Sequence, residues 1–411
     1  MKINKHCFPN GLRLVHNEDT STQMVALNIV YDVGARDEHP EHTGFAHLFE
    51  HLMFGGSAHI PDYDTPLQLA GGENNAWTNN DITNYYLTVP KPNVETAFWL
   101  ESDRMLELAF SEQSLEVQRG VVMEEFKQRC LNQPYGDVGH LFRPLAFRVH
   151  PYRWPTIGKE LSHIEQATLD EVKSFFYRFY APNNAVLAVT GNISWDETVK
   201  LTEKWFAPIP RRDVPVRQLP QEPEQTQERR LTVERNVPLD ALFMGYHMCS
   251  REGADYYAFD ILSDILSNGR SSRLNRRLVQ EQNIFSGIDA YISGTRDAGL
   301  LQISGKPAAG VSLEQAEAAV RKELEELQRS PVDGQELEKV KNKFESTQIF
   351  GNINYLNVAT NLAWFELTGK AEDIDLEVER YRSVTTEQLH TVAQRTFCES
   401  NAVVLYYKSD K

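Results

Sequence analysis

Residues 43–54 read Thr43-Gly44-Phe45-Ala46-His47-Leu48-Phe49-Glu50-His51-Leu52-Met53-Phe54, an apolar run interrupted by groups that can bind metal or carry protons. On a helix, His47 and His51 are four positions apart and lie one turn above each other on the same face. Two imidazoles at that spacing can bind one Zn²⁺ at about 2.0–2.1 Å. Glu50 projects beside this face, where it could accept a proton from an activated water. The pattern predicts a buried helix with a candidate zinc site.

A structural role for the two histidines is the alternative. Buried histidines commonly hydrogen-bond to backbone carbonyls, and with 12 histidines in the chain the five-residue pattern can also arise by chance. A catalytic zinc site would need a third protein ligand besides the pair. The decision between the two interpretations therefore depends on the rest of the chain.

The composition indicates a globular chain with two domains. Its 411 residues are too many for one ordinary hydrophobic core, and 41% of them are hydrophobic. The 58 acidic and 42 basic residues give a net charge of −16. This balance argues against nucleic-acid binding, which requires basic patches that displace counterions.

Neither the N-terminus nor the cysteines indicate secretion. Residues 1–6 lack the apolar core of a signal peptide, and no run approaches the about 20 apolar residues of a membrane span. The four cysteines are widely scattered, which favours free thiols in a reducing compartment: Cys7, Cys130, Cys249 and Cys398. We therefore expect a cytoplasmic protein without a membrane partner, and a periplasmic one only if a leader has been removed.

Residues 74–90 are predicted to form two short strands around an Asn/Asp turn. The first strand contains Asn75, Ala76 and Thr78 and is too rich in asparagine for a central position, so it suits the edge of a sheet. An extended peptide can add to such an edge as a further strand. An ordinary polar hairpin without a ligand is the alternative.

A helix is predicted over residues 112–132, and it carries the adjacent acids Glu124 and Glu125 among apolar neighbours. Acidic pairs on helices are usually solvated, but apolar flanks make a cation partner plausible here. One of the two is a candidate for the missing third ligand of the zinc site. Helical spacing alone does not choose between them.

The second half of the chain repeats the organisation of the first. Residues 208–230 are rich in proline, glutamine and charge, as linkers are. Strands and helices then begin again, and residues 399–404 echo the turn, Asn-Ala and strand of residues 182–187. We predict an α+β fold with an N-terminal catalytic zinc domain over 1–207, a linker over 208–230, and a homologous domain without metal over 231–411.

Further short motifs occur together with the His-x-x-Glu-His order, densely over about residues 1–210 and more sparsely beyond 230. They are Asn10-Gly11-Leu12-Arg13, Gly34-Ala35-Arg36-Asp37-Glu38, Asn75-Ala76-x-Thr78, Asp81-x-Thr83-x-Tyr85, His150-Pro151-Tyr152, Tyr180-x-Pro182-x-Asn184 and Ser271-Ser272-Arg273-Leu274. With these motifs the chain resembles the pitrilysin/insulinase family of zinc metallopeptidases, the inverted zincins, and within it the bacterial processing peptidases. The resemblance implies two tandem α/β sandwiches with mostly antiparallel sheets, forming half of a clamshell.

The resemblance also implies roles for individual residues. His47, His51 and the second residue of the acidic pair, Glu125, would be the zinc ligands, and Glu50 would be the general base. Seven positions before the glutamate ligand the family commonly has another glutamate that supports the site, and this chain has Gln118 there. Glutamine keeps the hydrogen bonding but loses the charge, so support of the metal site is expected to be weaker.

The C-terminal half departs from the family pattern in one respect. Active relatives carry an Arg and a Tyr there that hold substrate, and the matching positions in this chain are Val279 and Ser286. As an alternative, a shifted alignment would bring Arg276 or Arg277 and Tyr291, which lie nearby in sequence, to these positions. We therefore expect a homodimer, or a heterodimer in which a homologous chain supplies the Arg/Tyr pair.

Taken together, the sequence predicts a zinc-dependent endopeptidase that cleaves peptides or unfolded segments, with Zn²⁺ as cofactor and Glu50 as general base. The strand with Asn75, Ala76 and Thr78 would hold the substrate. Two alternatives are a non-catalytic core or assembly subunit of the same fold and a zinc protein without turnover. Glu50 argues against the last of these, because a structural zinc site has no need of a spare carboxylate.

Overall fold

The computed structural model describes residues 1–410 as two compact units, each with its own β-sheet. The first unit comprises Met1–Gln128, Trp154–Pro220 and Ile349–Leu376. The second comprises Arg129–Arg153, Gln221–Gln348 and the residues from Glu377 onward. Both units are mixtures of helix and strand, so the predicted α+β class is confirmed.

Six strands form the first sheet: β1 (Asn4–Cys7), β2 (Arg13–Glu18), β3 (Met24–Tyr31), β4 (Glu73–Thr78), β5 (Thr83–Pro90) and β6 (Ala185–Gly191). Their order is β1-β2-β6-β3-β5-β4, with β2 and β6 parallel and the other neighbours antiparallel. The central strand β6 is buried at every residue because helices cover both faces of the sheet. In contrast, β4 lies at the edge and alternates between exposed and half-buried residues.

The second sheet repeats this topology. Its strands are β7 (Arg229–Arg235), β8 (Ala241–Met248), β9 (Phe285–Ile292), β10 (Gly299–Pro307) and β11 (Ala402–Ser409). Their order is β7-β11-β8-β10-β9, and only β7 and β11 are parallel. This is the order and direction of β2-β6-β3-β5-β4, and it confirms the duplication predicted from the Asn-Ala echo, since β6 and β11 occupy equivalent places.

The helices of the first unit lie on both faces of its sheet. They are α1 (Phe45–Leu52), α2 (Asp64–Leu69), α3 (Val94–Leu106), α4 (Glu112–Phe126), α6 (Leu161–Glu165), α7 (Leu169–Phe179), α8 (Trp195–Trp205) and α12 (Tyr355–Thr368), numbered in chain order. One core joins a sheet face to α1, α3, α4, α7 and α8. On the opposite face, Val358 and Leu362 of α12 are buried with Val15 and Ala26 of the sheet.

The second unit is covered in the same manner. Its helices are α5 (Val138–Ala146), α9 (Tyr256–Ser267), α10 (Leu313–Arg329), α11 (Gly334–Gly351), α13 (Glu377–Ser383) and α14 (Thr386–Thr396). The helices α9, α10, α11 and α14 share one core with the sheet. On the other face, Phe142 and Ala146 of α5 pack with Val403 and Leu405 of β11.

The predicted division into 1–207, a linker at 208–230 and 231–411 differs from these units at two segments. Residues 129–153 lie in the second unit although they come from the N-terminal half, and residues 349–376 lie in the first unit. The reason is burial, since α5 covers a face of the second sheet and α12 covers a face of the first. Local sequence patterns cannot show such an exchange, because both helices have the composition of ordinary core helices.

Cys7, Cys130, Cys249 and Cys398 form no disulfide within residues 1–410, and the reducing compartment stays a prediction. Within residues 1–410, every helix is too short or too polar to cross a bilayer.

Candidate functional site

The short helix α1 carries the two histidines and Glu50 and is held firmly by its apolar face. It begins after Gly44, whose φ of +89° favours glycine and whose Cβ would lie 2.6 Å from Cδ1 of Ile164. Phe49 stacks on Phe175 and Tyr180 with ring centroids 5.0 and 5.1 Å apart. These contacts fix the rotation of the helix, so His47 and His51 project from the opposite side.

Helix α4 brings the third candidate ligand to this side of α1. Its N-terminus is capped by Ser111, whose side chain accepts a hydrogen bond from the Ser114 N–H at 3.0 Å. Its buried residues, Leu115, Val122 and Phe126, turn the helix so that Glu125 faces α1. The predicted helix over 112–132 corresponds to α4 followed by one π-turn over residues 127–131.

His47, His51 and Glu125 come together, with one ligand atom of each within 4.8 Å of the others. Oε2 of Glu125 lies 3.6 Å from Nε2 of His47 and 3.4 Å from Nε2 of His51. The two imidazole rings are nearly perpendicular, at 85°, with centroids 4.9 Å apart. His47 is buried, while His51 and Glu125 are half-buried, so the group is partly accessible to solvent.

The spacing of these atoms fits a tetrahedral metal ion. Ligands about 2.0–2.1 Å from zinc at the corners of a tetrahedron are about 3.3 Å from each other. The observed separations of 3.4 and 3.6 Å agree with this value and exceed the usual length of a direct hydrogen bond. Two imidazoles and one carboxylate are also the ligand set of a catalytic zinc site that keeps a fourth position open.

The neighbouring acids have other surroundings. Glu124 is exposed, and its Oε1 accepts a hydrogen bond from Nζ of Lys127 at 2.5 Å. Glu50 is half-buried on α1, directly before His51. Burial raises the pKa of Tyr85 and of Tyr180, and the charge of the nearby Glu50 carboxylate adds to both rises. Glu50 therefore lies next to the ligand group without belonging to it.

The edge strand β4 runs alongside α1 in the first unit. Ala76 packs on the core that contains α1, whereas Asn75 on the other face is exposed. The Ala76 N–H donates to Oδ1 of Asn75 at 2.8 Å, so this N–H group is already hydrogen-bonded within the strand. Thr78, at the end of the strand, donates to the Thr83 hydroxyl at 3.5 Å. The predicted edge position is confirmed, while substrate binding by these residues stays a prediction.

The remaining site predictions concern Gln118 and the second unit. Gln118 is half-buried on α4, two turns before Glu125 and hence on a similar face. In the second unit, Val279 follows Leu278 in a π-helical segment, and Ser286 on β9 donates to the carbonyl of Lys306 at 3.1 Å. Neither residue can replace an Arg or a Tyr chemically.

The basic and aromatic residues near those positions are partly engaged elsewhere. Nη1 of Arg277 donates to Glu323 at 2.6 Å and also to Glu326. Arg276 is exposed and forms an ion pair with Glu281 at 3.6 Å. Tyr291 on the edge strand β9 is 49% exposed.

Glu38, which no sequence pattern singled out as a site residue, lies at the start of α1. Its side chain lies in the protein interior at the N-terminus of α1, where it accepts hydrogen bonds from the N–H groups of Gly44 and Ala46. Burial raises the pKa of Glu38 to about 8, against the effect of the Ala46, Gly44 and Trp154 donors. Glu38 belongs to the motif Gly34–Glu38, but that motif indicated only the resemblance to the family and no role for this residue.

A cavity of about 360 Å³ lies on the Phe45 side of α1. Aromatic side chains and a mixed polar rim line it: Phe45, Phe175, Phe179, Asp37, Glu38, His39, His42, Asp170, Glu171, Ser174 and Arg178. None of the three candidate ligands is among these residues. The candidate metal group is therefore a separate feature of the first unit.

Two family profiles match the chain and together cover most of its length. The profile described as "Insulinase (Peptidase family M16)" matches residues 13–137, which include the candidate ligands. The profile described as "Peptidase M16 inactive domain" matches residues 166–344.

Individual proteins are similar over the whole chain. A protein of Helicobacter pylori named "Zinc protease PqqE" is 26% identical over 405 residues, which is 97% of this chain and 91% of that protein. A solved structure described as a protease from Helicobacter pylori superposes with a TM-score of 0.94 and 26% identity over 99% of both chains.

A third similarity concerns the fold alone. The structure of the periplasmic protease PqqL from Escherichia coli has a TM-score of 0.81 and 18% identity to this chain. The match covers 99% of this chain but only 47% of PqqL. One PqqL chain is therefore about twice as long as this one.

Proposed function

The chain belongs to the insulinase family of peptidases, family M16, and on this basis we propose that it is a zinc-dependent endopeptidase of peptides or unfolded polypeptide segments. The observation that carries the proposal is the approach of Oε2 of Glu125 to Nε2 of both histidines at 3.4 and 3.6 Å. Glu50 on the same short helix supplies a carboxylate that the ligand group does not use.

His47, His51 and Glu125 would hold the zinc ion. When bound, zinc would polarise the scissile carbonyl and lower the pKa of a water towards about 7. The three ligands come from two helices that pack in one core, so the group is positioned by the fold. Its partial exposure would let water and substrate reach the zinc ion.

Glu50 would act as general base and then as general acid. Its carboxylate takes a proton from the attacking water as the oxygen adds to the scissile carbonyl carbon. The same carboxyl then gives the proton to the leaving amine nitrogen as the C–N bond breaks. General acid–base catalysis of this kind contributes about 10²- to 10⁴-fold to a rate.

The edge strand β4 would hold the substrate in an extended conformation. A peptide that pairs with Asn75, Ala76 and Thr78 gains backbone hydrogen bonds that do not depend on its sequence. Because β4 runs alongside α1, such a strand would pass close to the ligand group. Binding would release the Ala76 N–H from the side chain of Asn75.

We further propose that a homologous chain completes the enzyme, either a second copy or a related protein that carries the Arg/Tyr pair. Val279 and Ser286 stand at the positions of that pair, and this chain spans 47% of PqqL. Sedimentation of the purified protein and co-purification from its native source test the proposal. A monomer that cleaves peptides at full rate without any partner would contradict it.

The rival is a non-catalytic assembly subunit with the same fold. Its support is the "inactive domain" profile that matches residues 166–344, yet that segment lies outside α1 and α4. A subunit without catalysis does not need a zinc ligand set together with the additional carboxylate of Glu50 on the same helix. Measured peptide cleavage therefore decides between the two functions.

The test compares wild type with Glu50→Gln and, as control, Glu41→Gln, which changes an exposed carboxylate just before the same helix. We expect wild type and Glu41→Gln to bind one zinc and to cleave an unstructured peptide in a chelator-sensitive reaction. Glu50→Gln should keep its zinc and lose at least about 10²-fold in rate. Zinc-loaded wild type that cleaves nothing, alone or with its partner chain, would refute the peptidase proposal.

A further inference from the structure

Glu38 connects the candidate zinc helix to the loop that precedes it. Its Oε2 accepts from the Gly44 N–H at 2.9 Å and its Oε1 from the Ala46 N–H at 2.8 Å. The indole N–H of Trp154 donates to the same Oε2 at 3.1 Å. The Glu38 residue is only 7% exposed, so these bonds are shielded from water.

The Glu38 carboxylate takes the place of an N-cap side chain at the start of helix α1. This helix has eight residues, too few to be stable by itself, and no side chain of its N-cap residue, Gly44, satisfies the first N–H groups. Ala46, whose N–H is bound by Glu38, directly precedes the ligand His47. A shift at Ala46 is therefore transmitted directly to His47.

The loop that carries Glu38 is itself fixed on its other side. The N–H groups of Ala35 and Arg36 donate to the carbonyls of Asn79 and Asn80 at 3.1 and 2.9 Å, in the turn that follows β4. A Cβ at Gly34 would lie 2.5 Å from the Asp81 nitrogen, so the loop and the turn are in close contact. The loop thus joins the end of the edge strand to the start of the zinc helix.

Arg217 fixes the position of the adjacent residue Asp37. Arg217 donates to Asp37 from Nε at 2.6 Å and from Nη2 at 3.2 Å, and it also binds both the carbonyl and the carboxylate of Asp32. Asp37 in turn accepts from the Gly34 N–H at 3.0 Å. Glu38 is therefore presented to α1 by a loop that has little freedom to move.

A simple cap would not require such an arrangement. Ser, Thr, Asn or Asp at the N-cap position satisfies the first N–H groups of a helix at the surface. Burying a carboxylate has a desolvation cost that only several good hydrogen bonds offset. The carboxylate of Glu38, six residues before Gly44, instead links the helix to a distant and rigid part of the unit.

We propose that Glu38 is a positioning residue for peptide hydrolysis, which sets α1 in register with Glu125 on α4 and with the edge strand β4. The inference rests on the proposed zinc peptidase function. Glu38 is not one of the three candidate ligands, and it acts through the backbone of Gly44 and Ala46.

The experiment uses the full chain with the variants Glu38→Gln and Trp154→Phe. Glu38→Gln keeps the size but replaces one carboxylate oxygen by an amide NH2 group, which cannot accept from an N–H group. Trp154→Phe removes the indole N–H that donates to Glu38 and leaves the bonds from the Gly44 and Ala46 N–H groups. This variant therefore tests the role of Glu38 if Glu38→Gln does not fold. The control is Glu377→Gln, which changes another buried carboxylate, bound by Arg251 and Tyr257 in the second unit.

Three quantities are measured: zinc affinity by competition with a chelator, the visible spectrum of the Co²⁺-substituted protein, and kcat with KM. For Glu38→Gln we expect zinc affinity about 10-fold weaker, as for residues that orient metal ligands, a changed Co²⁺ spectrum, and a lower kcat at little-changed KM. Trp154→Phe should show smaller changes in the same direction. Glu377→Gln should lose thermal stability and keep the zinc affinity and the spectrum of wild type.

A Glu38→Gln protein that loses stability but keeps the wild-type zinc affinity, Co²⁺ spectrum and kcat would overturn the inference and make Glu38 a simple cap. If Glu38→Gln does not fold, unchanged values for Trp154→Phe overturn it equally. A wild type that binds no zinc would refute the proposed function itself. A wild type that binds zinc, together with variants that bind it equally well, would refute only the role of Glu38.

Discussion

Nε2 of His51 lies 3.4 Å from Oε2 of Glu125 although the two residues come from different helices and are far apart in sequence. The corresponding separation from His47 is 3.6 Å. Both values are near the distance of about 3.3 Å between two ligands of tetrahedral zinc and longer than the usual hydrogen bond. The fold thus holds three potential ligands at the mutual distances that a metal ion requires.

This relationship predicts different outcomes for two adjacent glutamates. Glu125→Gln should lose zinc binding, because an amide is a poor ligand and leaves only two imidazoles, and cleavage should be lost with it. Glu124→Gln should bind zinc like wild type, since Glu124 is exposed and paired with Lys127. Zinc per chain after dialysis measures both. Equal zinc content in the two variants would contradict the assignment of Glu125.

Zinc should also stabilise the first unit. The ligands lie on α1 and α4, so bound metal ties the two helices together and favours the folded state by mass action. At a free zinc concentration of about 100 times Kd the stabilisation is about 2.7 kcal/mol. Hydrogen exchange of α1 and α4 with zinc and with chelator measures it. His51→Ala should show no such difference, and equal protection in wild type with and without zinc would contradict the prediction.

Gln118 offers a test of charge near the site. Gln118→Glu would place a second carboxylate two turns before Glu125 on a similar face, and the added negative charge should strengthen zinc binding by up to about 10-fold. Gln113→Glu makes the same chemical change at an exposed position of the same helix and should have no effect. Chelator competition measures both variants. Equal affinities of the two would show that position 118 does not influence the metal.

The edge strand β4 predicts a pattern in substrate analogues. Peptides methylated on alternate backbone nitrogens lose the hydrogen bonds of one edge only. The series in which the methylated nitrogens face β4 should lose about 5-fold in kcat/KM for each methyl group, since a hydrogen bond contributes about 1 kcal/mol. The series methylated on the intervening nitrogens should be cleaved like the parent peptide. If both series lose equally, the substrate does not pair with a strand edge.

Glu317 on α10 makes the second unit sensitive to acid. Burial alone would raise the pKa of Glu317, but hydrogen bonds from Arg230, Tyr406 and Arg321 outweigh it and lower the pKa to about 2. A depressed carboxyl pKa stabilises the folded state above the unfolded-state value of 4.5, and this stabilisation is lost as the pH falls towards about 2.

Glu317→Gln should therefore lower the free energy of unfolding by about 2 kcal/mol at about pH 7 and by much less at about pH 3. Hydrogen exchange of α10 at both pH values measures the difference between variant and wild type. A difference that stays constant with pH would show that Glu317 acts by packing and not by its charge.

Much of this structure follows from local sequence signals. Helix α1 with its histidines, the edge position of β4 and the duplication marked by the Asn-Ala pairs before β6 and β11 were all predicted. These features depend on residues that are close in sequence, where spacing and turn chemistry are informative. The choice of Glu125 over Glu124 needed the resemblance, because both lie on the same helix.

The features that were missed depend on contacts between distant segments. Glu38 looks like an ordinary acidic residue of a loop, and only its contacts with Gly44, Ala46 and Trp154 show its role. Likewise, the amphipathic pattern of α12 predicts a buried face but not the sheet against which that face packs. Partner choice of this kind is decided by tertiary packing.

The position of α12 has a consequence for biosynthesis. The helix spans residues 355–368, yet it covers Val15, Ala26 and Val186 of the first sheet. A nascent chain released only as far as residue 207 would leave that apolar surface in water, so the first unit cannot finish folding until nearly all of the chain has left the ribosome. The unit that carries α1 is thus completed only late in synthesis.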